Sequence, residues 1–157
     1  MKFLLSFCMM LLSFQQMQSQ NLDLRILDKI NGAPSTVADR NWNHFTDTDL
    51  PVTIATPVTL FIVGAATKNH DLKIKSYQTG IAIFTTEVIT SCLKIGVRRE
   101  RPFTDHPDII YRKAKGNGFS FPSGHTSTAF ATATSLSLSF PKWYVIVPSY
   151  TYACAIA

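Results

Sequence analysis

The chain has 157 residues, enough for one domain with a real core and too few for two of ordinary size. Its formal charge is +5, with Lys+Arg 15 against Asp+Glu 10. That balance fits a basic solvated surface, an anionic substrate or an anionic membrane surface, and charge alone does not choose among them.

The chain opens with the layout of a secretory signal peptide over residues 1–20: Lys2 as a short positive region, Phe3 to Phe14 as an apolar core, then polar Gln and Ser. The apolar run is too short for an ordinary membrane span. Removing this segment takes Lys2 and Cys8 away and leaves a net charge of +4. Cys92 and Cys154 remain, each in an apolar stretch, and read as buried small hydrophobes rather than a disulfide.

Residues 21–50 form a polar N-terminal segment. Leu22, Leu24, Ile26, Leu27 and Ile30 predict a short amphipathic helix, followed by an irregular connection. His44 beside Asp47 and Asp49 matches no standard ligand spacing, so this group reads as a surface loop; His70 and His106 are read in the same way.

Residues 51–157 are the apolar domain. Leu50 to Thr67 carries no charge and is long enough for a marginal membrane span. Pro51 suits a helix start, and Pro57 predicts a kink or a second start. After a polar break at "KNHDLKIK", Ser76 to Val97 reads as a long helix with Ile81, Phe84, Val88, Cys92 and Ile95 on one face. Glu87 lies within it and is expected to face protein or water, because a carboxylate facing lipid is costly. Pro102 ends this helix, and Phe103 to Phe121 is expected to be a loop. Ser123 to Ser139 reads as a helix rich in Ala, Ser and Thr, small enough for close helix contact. After Pro141, Trp143 to Ala157 begins a further apolar helix, interrupted by Pro148. No internal repeat or low-complexity segment is present.

Two stretches carry chemistry. The first is "KIGVRRERP", with Lys94 and Arg101 seven residues apart. If the helix runs nearly to Arg101, both cations lie on one side of it, Lys94 as a point charge and Arg101 as a planar fork. Arg98 and Arg99 read as solvated or interfacial charges. The second is "SFPSGHTSTAF". A helix beginning at Ser123 leaves its first N–H groups without intrahelical partners at its positive end, where an anion binds. Gly124 lets the backbone approach closely, Ser123 adds a hydroxyl donor and Pro122 fixes the approach of the chain. His125 then stands in the first turn, and histidine is the side chain that gains or loses a proton near neutral pH.

Lys94, Arg101 and Pro102, followed by Pro122, Ser123, Gly124 and His125, resemble the first two motifs of the type 2 phosphatidic acid phosphatase superfamily. That superfamily also contains bacterial class A acid phosphatases and vanadium haloperoxidases. The resemblance covers about Pro51 to Ala157. It implies an all-α helical bundle and metal-independent hydrolysis of a phosphate monoester or lipid phosphate. Lys94, Arg101, Ser123 and Gly124 would hold the phosphoryl group, and His125 would be the general acid. Pro102 and Pro122 would be structural, and no cofactor would be needed, although phosphate or vanadate would fit the cradle. The superfamily's third motif supplies the nucleophilic histidine: Ser-Arg, five residues, His, three residues, Asp. Nothing in this chain matches it, and no Arg, His or Asp follows His125. The expectation is therefore a bundle incomplete at the C-terminus, inactive as it stands. Vanadate-dependent halide oxidation and an inactive anion-binding membrane protein are the alternatives; small size and the export signal favour the phosphatase. A mean hydropathy of +0.10 is low for a polytopic protein, yet several stretches are long and uncharged. The expected location is the cell envelope, membrane-associated or periplasmic, with no nucleic-acid partner.

Overall fold

A computed structural model describes residues 22, 24–32, 35–113 and 118–157. The signal-peptide reading of residues 1–20 lies outside them. Regular structure among the described residues is helical, so the chain is all-α as the sequence implies. Besides a helix over residues 24–31, the elements are α1 (Thr36–Thr46), α2 (Asp49–Ala66), α3 (His70–Val97), α4 (Pro102–Asp105), α5 (Gly124–Ser139) and α6 (Trp143–Ile156). They fall into two compact units.

The smaller unit joins residues 22–35 to residues 102–113. Asn31 donates its side-chain amide to the Tyr111 carbonyl at 3.1 Å, and Lys113 donates to the Asn31 carbonyl. The Arg112 guanidinium lies 5.2 Å from the Phe103 ring centre. Phe103 to Phe121 is therefore not a loop throughout: Pro102 opens the one-turn helix α4, a position where a missing N–H costs nothing. The His106 N–H closes that turn on the Pro102 carbonyl.

The larger unit is a bundle of α1, α2, α3, α5 and α6. Three-residue turns over residues 67–69 and 140–142 make antiparallel pairs of α2 with α3 and of α5 with α6. Helices α3 and α5 also run antiparallel. Lys75, near the start of α3, has its ammonium 4.8 Å from the Phe140 ring centre at the end of α5, and Lys94, near the end of α3, reaches the start of α5.

Several expectations are corrected here. The connection after Ile30 is not irregular up to Asp49, because α1 occupies Thr36–Thr46 with His44 in its last turn. The helix forms on few apolar residues; Phe45 packs against the core of Ala129, Ala133, Ala153 and Ile156, and its ring meets Tyr152 edge-on at 5.7 Å. The polar break after Thr67 lasts only to Asn69, whose side chain accepts from the Leu72 N–H and caps α3. So α3 starts at His70 rather than Ser76, and His70 is helical. Neither proline divides its helix: α2 runs through Pro57 and α6 through Pro148. At Pro57 the Ser76 hydroxyl donates to the proline carbonyl at 2.8 Å, pinning α2 to α3.

The packing seams are lined by small and hydroxylated residues: Thr53, Gly64, Ser76, Thr79, Thr90, Ala129, Thr132 and Ala133 are buried. The larger side chains of α2 and α3 point outward. Ile54, Val58, Phe61 and Ile62 are exposed, and so are Ile81, Phe84, Val88 and Ile95. The common face foreseen on α3 exists, but it faces away from the protein. Cys92 and Cys154 are exposed free thiols, not buried hydrophobes. Glu87 is exposed as well and accepts from the Ser91 hydroxyl at 3.4 Å.

Val37–Ala66 and His70–Asp105 each contain a helix long and apolar enough to cross a membrane. At 1.5 Å per residue, α2 is about 27 Å long and α3 about 42 Å, against a hydrocarbon core of about 30 Å. Only 17% and 6% of the two apolar windows are buried within the protein, whereas the core helix of a soluble domain is mostly buried.

Candidate phosphate site

The site grows from the start of α5. Ser123 caps the helix in extended conformation (φ −73°, ψ 124°), and its Oγ accepts from the Thr126 N–H at 3.4 Å and the Thr126 hydroxyl at 3.0 Å. Both lone pairs are thus engaged while the hydroxyl hydrogen remains for another acceptor. Helical partners for the Gly124 and His125 N–H groups would be the carbonyls of Ser120 and Phe121, which lie outside the helix. Two backbone donors therefore point out of the positive end of α5.

Gly124 carries no positive φ, so its backbone does not require glycine; what its missing side chain leaves open is space. A Cβ built there would stand 3.6 Å from the Lys94 Nζ. The Lys94 ammonium thus lies over the start of α5, brought there from the last turn of α3. His125 is exposed in the first turn of α5. The preceding Phe121–Pro122 peptide is cis.

Arg101 is held differently from the sequence expectation. Helix α3 does not persist to Arg101. It ends at Val97, and Arg98 takes the left-handed conformation (φ 51°, ψ 35°) as its cap. The Arg98 N–H bonds the Lys94 carbonyl at 3.0 Å and its Nε–H bonds the Ile95 carbonyl at 3.0 Å, both at the helix end. The chain then continues irregularly and is fastened to the segment leading into α5. The Ser120 N–H donates to the Arg99 carbonyl at 2.8 Å, and the Ser120 hydroxyl to the Glu100 carbonyl at 2.8 Å. Arg101 Nε donates to the Gly118 carbonyl at 3.0 Å. Gly118 has φ 76°, a conformation glycine adopts without penalty. The two motifs are joined twice: through Lys94 over Gly124, and through Arg101 and Ser120 on the approach to Ser123.

One buried acid was misread as part of a surface loop. Asp49 stands in the first turn of α2 and is 3% exposed. Its Oδ1 accepts from the Thr53 hydroxyl at 3.3 Å, and its Oδ2 from the Thr128 hydroxyl on α5 at 2.7 Å. The sequence does hold a signal for it: Thr48 and Asp49 precede an uncharged run with Pro51 in its first turn, the pattern of a helix start.

A cation, a glycine opening and backbone donors without intrahelical partners meet at one end of an all-α bundle, a geometry with room for an oxyanion. The chain belongs to the PAP2 superfamily, whose family model matches residues 77–157, just over half of the sequence. The match takes in Lys94, Arg101 and the run Pro122 to His125. No curated protein and no solved structure shows a significant match. Membership points to a phosphate ester as substrate and to phosphatase chemistry in general terms.

Proposed function

We propose that the site is the phosphate cradle of a metal-independent phosphatase acting on a monoester or lipid phosphate. The observation that carries this reading is the Lys94 ammonium poised over Gly124 at the open end of α5. In the proposed reaction, Lys94 and Arg101 neutralise the phosphoryl oxygens, and the N–H groups of Gly124 and His125 with the Ser123 hydroxyl complete the cradle. Phosphoryl transfer spreads charge over equatorial oxygens, so fixed donors around them lower the barrier. A histidine in the pattern of the superfamily's third motif attacks phosphorus as the ester P–O bond breaks. His125 gives its proton to the departing alkoxide, and water then cleaves the P–N bond of the phosphohistidine. General acid help of this kind contributes typically about 10²–10⁴-fold.

The membrane is the proposed setting. Two helices of spanning length turn their large apolar side chains outward, and without lipid around them those faces would lie in water. The envelope, with the site toward its outer side, is the proposed location.

These 157 residues supply the ligands and the acid, but no histidine in the third motif's pattern. The chain alone is expected to bind vanadate or phosphate and to hydrolyse essentially nothing. Titration of the detergent-solubilised chain with vanadate, followed by ⁵¹V NMR, tests the cradle. Lys94→Gln should weaken binding by about tenfold or more, the equivalent of one charge-assisted hydrogen bond. Unchanged affinity in that variant, or turnover of p-nitrophenyl phosphate by the wild-type chain, would count against the assignment.

A further inference from the structure

The carboxylate of Asp49 is buried in the bundle, and the phosphate reading gives it no task. It accepts from two hydroxyls, those of Thr53, on its own helix, and of Thr128, on α5. Thr128 is the informative partner. Its Oγ lies 2.7 Å from Asp49 Oδ2, 2.9 Å from the Gly124 carbonyl and 3.2 Å from the His125 carbonyl. A hydroxyl has one hydrogen, and a carboxylate is the stronger acceptor, so that hydrogen points to Asp49. With that hydrogen directed at Asp49 the Thr128 oxygen bonds neither carbonyl; what Asp49 anchors is Thr128 itself, whose backbone N–H pairs with the Gly124 carbonyl in the helical pattern.

Burying a carboxylate without a cation is costly. Among the described residues no ion pair involves Asp49. Compensation comes from its place in the first turn of α2 and from the two hydroxyls that donate to it. An apolar pair would join α2 to α5 without that cost. What the acid adds is direction, since it fixes one hydroxyl, and through it one turn of backbone, in a single orientation.

We propose that Asp49 is a positioning residue: acting through Thr128, it sets the first turn of α5 and so the aim of the Gly124 and His125 N–H groups. The proposal rests on the phosphate-cradle reading. The test is vanadate titration of the 157-residue chain in five versions, wild type, Thr128→Val, Thr128→Ser, Asp49→Ala and the Asp49→Ala/Thr128→Val double variant, each checked for folding by thermal melting. Thr128→Val, which keeps shape and loses the hydroxyl, should weaken binding by about tenfold, while Thr128→Ser should stay within about threefold of wild type. In an Asp49→Ala background the Thr128→Val change should have no further effect, because the hydroxyl then has nothing to hold. Should Asp49→Ala fail to fold, the Thr128 pair decides alone. Equal vanadate affinity in wild type and Thr128→Val, with or without a lowered melting temperature, overturns the positioning role and leaves the cradle standing. A wild-type chain that binds no vanadate overturns both.

Discussion

Gly124 separates two reasons for a glycine at a helix start. Its backbone would accept any residue, and an added Cβ would meet the Lys94 ammonium at ordinary contact distance. Gly124→Ala is therefore expected to keep or raise stability, by up to about 1 kcal/mol, through the unfolded chain. The same methyl would occupy the space in which an oxyanion meets Lys94, so vanadate affinity should fall by about tenfold or more, the loss of one charge-assisted contact. Melting curves and vanadate titration on one preparation give both numbers, and a matching fall in both would make Gly124 a folding residue only. The residues of this site were legible in the sequence because each has a local reason: a cap, an open helix end, a cation one turn from a helix terminus. Asp49 was not legible as buried, because its burial depends on Thr128, 79 positions away in the chain.

At the scale of the element, the long apolar helices were legible, while the start of α3, the polar helix α1 and the effect of the prolines were not. Pro57 and Pro148 signal breaks by local rules, yet both helices continue through them, and at Pro57 the Ser76 hydroxyl of α3 bonds the proline carbonyl. Asn69 does stop the chain, and the turn it makes is tight enough to constrain Gly64. A Cβ on Gly64 would stand 3.0 Å from both the Leu72 Cβ and the Lys73 backbone nitrogen, and 3.2 Å from the Asn69 carbonyl oxygen. Backbone cannot swing aside as a flexible side chain can. Gly64→Ala should cost about 1–3 kcal/mol, read as a lowered melting temperature in detergent, with vanadate affinity of the folded fraction unchanged because the turn lies at the far end of α3 from Lys94. A neutral Gly64→Ala would mean that the α2–α3 turn is looser than these distances require.

For the whole molecule, hydrophobic periodicity marked the correct face of α3 and said nothing of what covers it. Period finds a stripe; only the tertiary arrangement decides whether the stripe meets protein or lipid. Here the seams hold threonine, serine, alanine and glycine, and Phe84 near the middle of α3 is 71% exposed. The low mean hydropathy of the full chain hid this, because the polar N-terminal segment and the residues between α3 and α5 dilute two apolar helices. A charge at Phe84 distinguishes the surroundings. On a soluble surface Phe84→Arg would be close to neutral. At the middle of a membrane span it should cost about 2.5–3.5 kcal/mol on the insertion scale. Expression of both forms followed by carbonate extraction measures the difference: the wild type is expected in the membrane pellet, and the Arg variant depleted from it. Equal partitioning would return α3 to water.

The bonds from Ser120 to the backbone at Arg99 and Glu100 form a neck. Just inside it, Arg101 and Gly118 are hydrogen-bonded to each other, so the two ends of the intervening segment are fastened a second time. For a flexible loop, doubling the length costs only about 0.6 kcal/mol in closure entropy. Added length between Arg101 and Gly118 therefore costs the neck little, provided the Arg101–Gly118 bond is kept. Selection for a different ester group has room to rewrite the residues between Pro102 and Gly118, in length as well as composition, while Lys94, Arg101, Ser123 and Gly124 keep their registration.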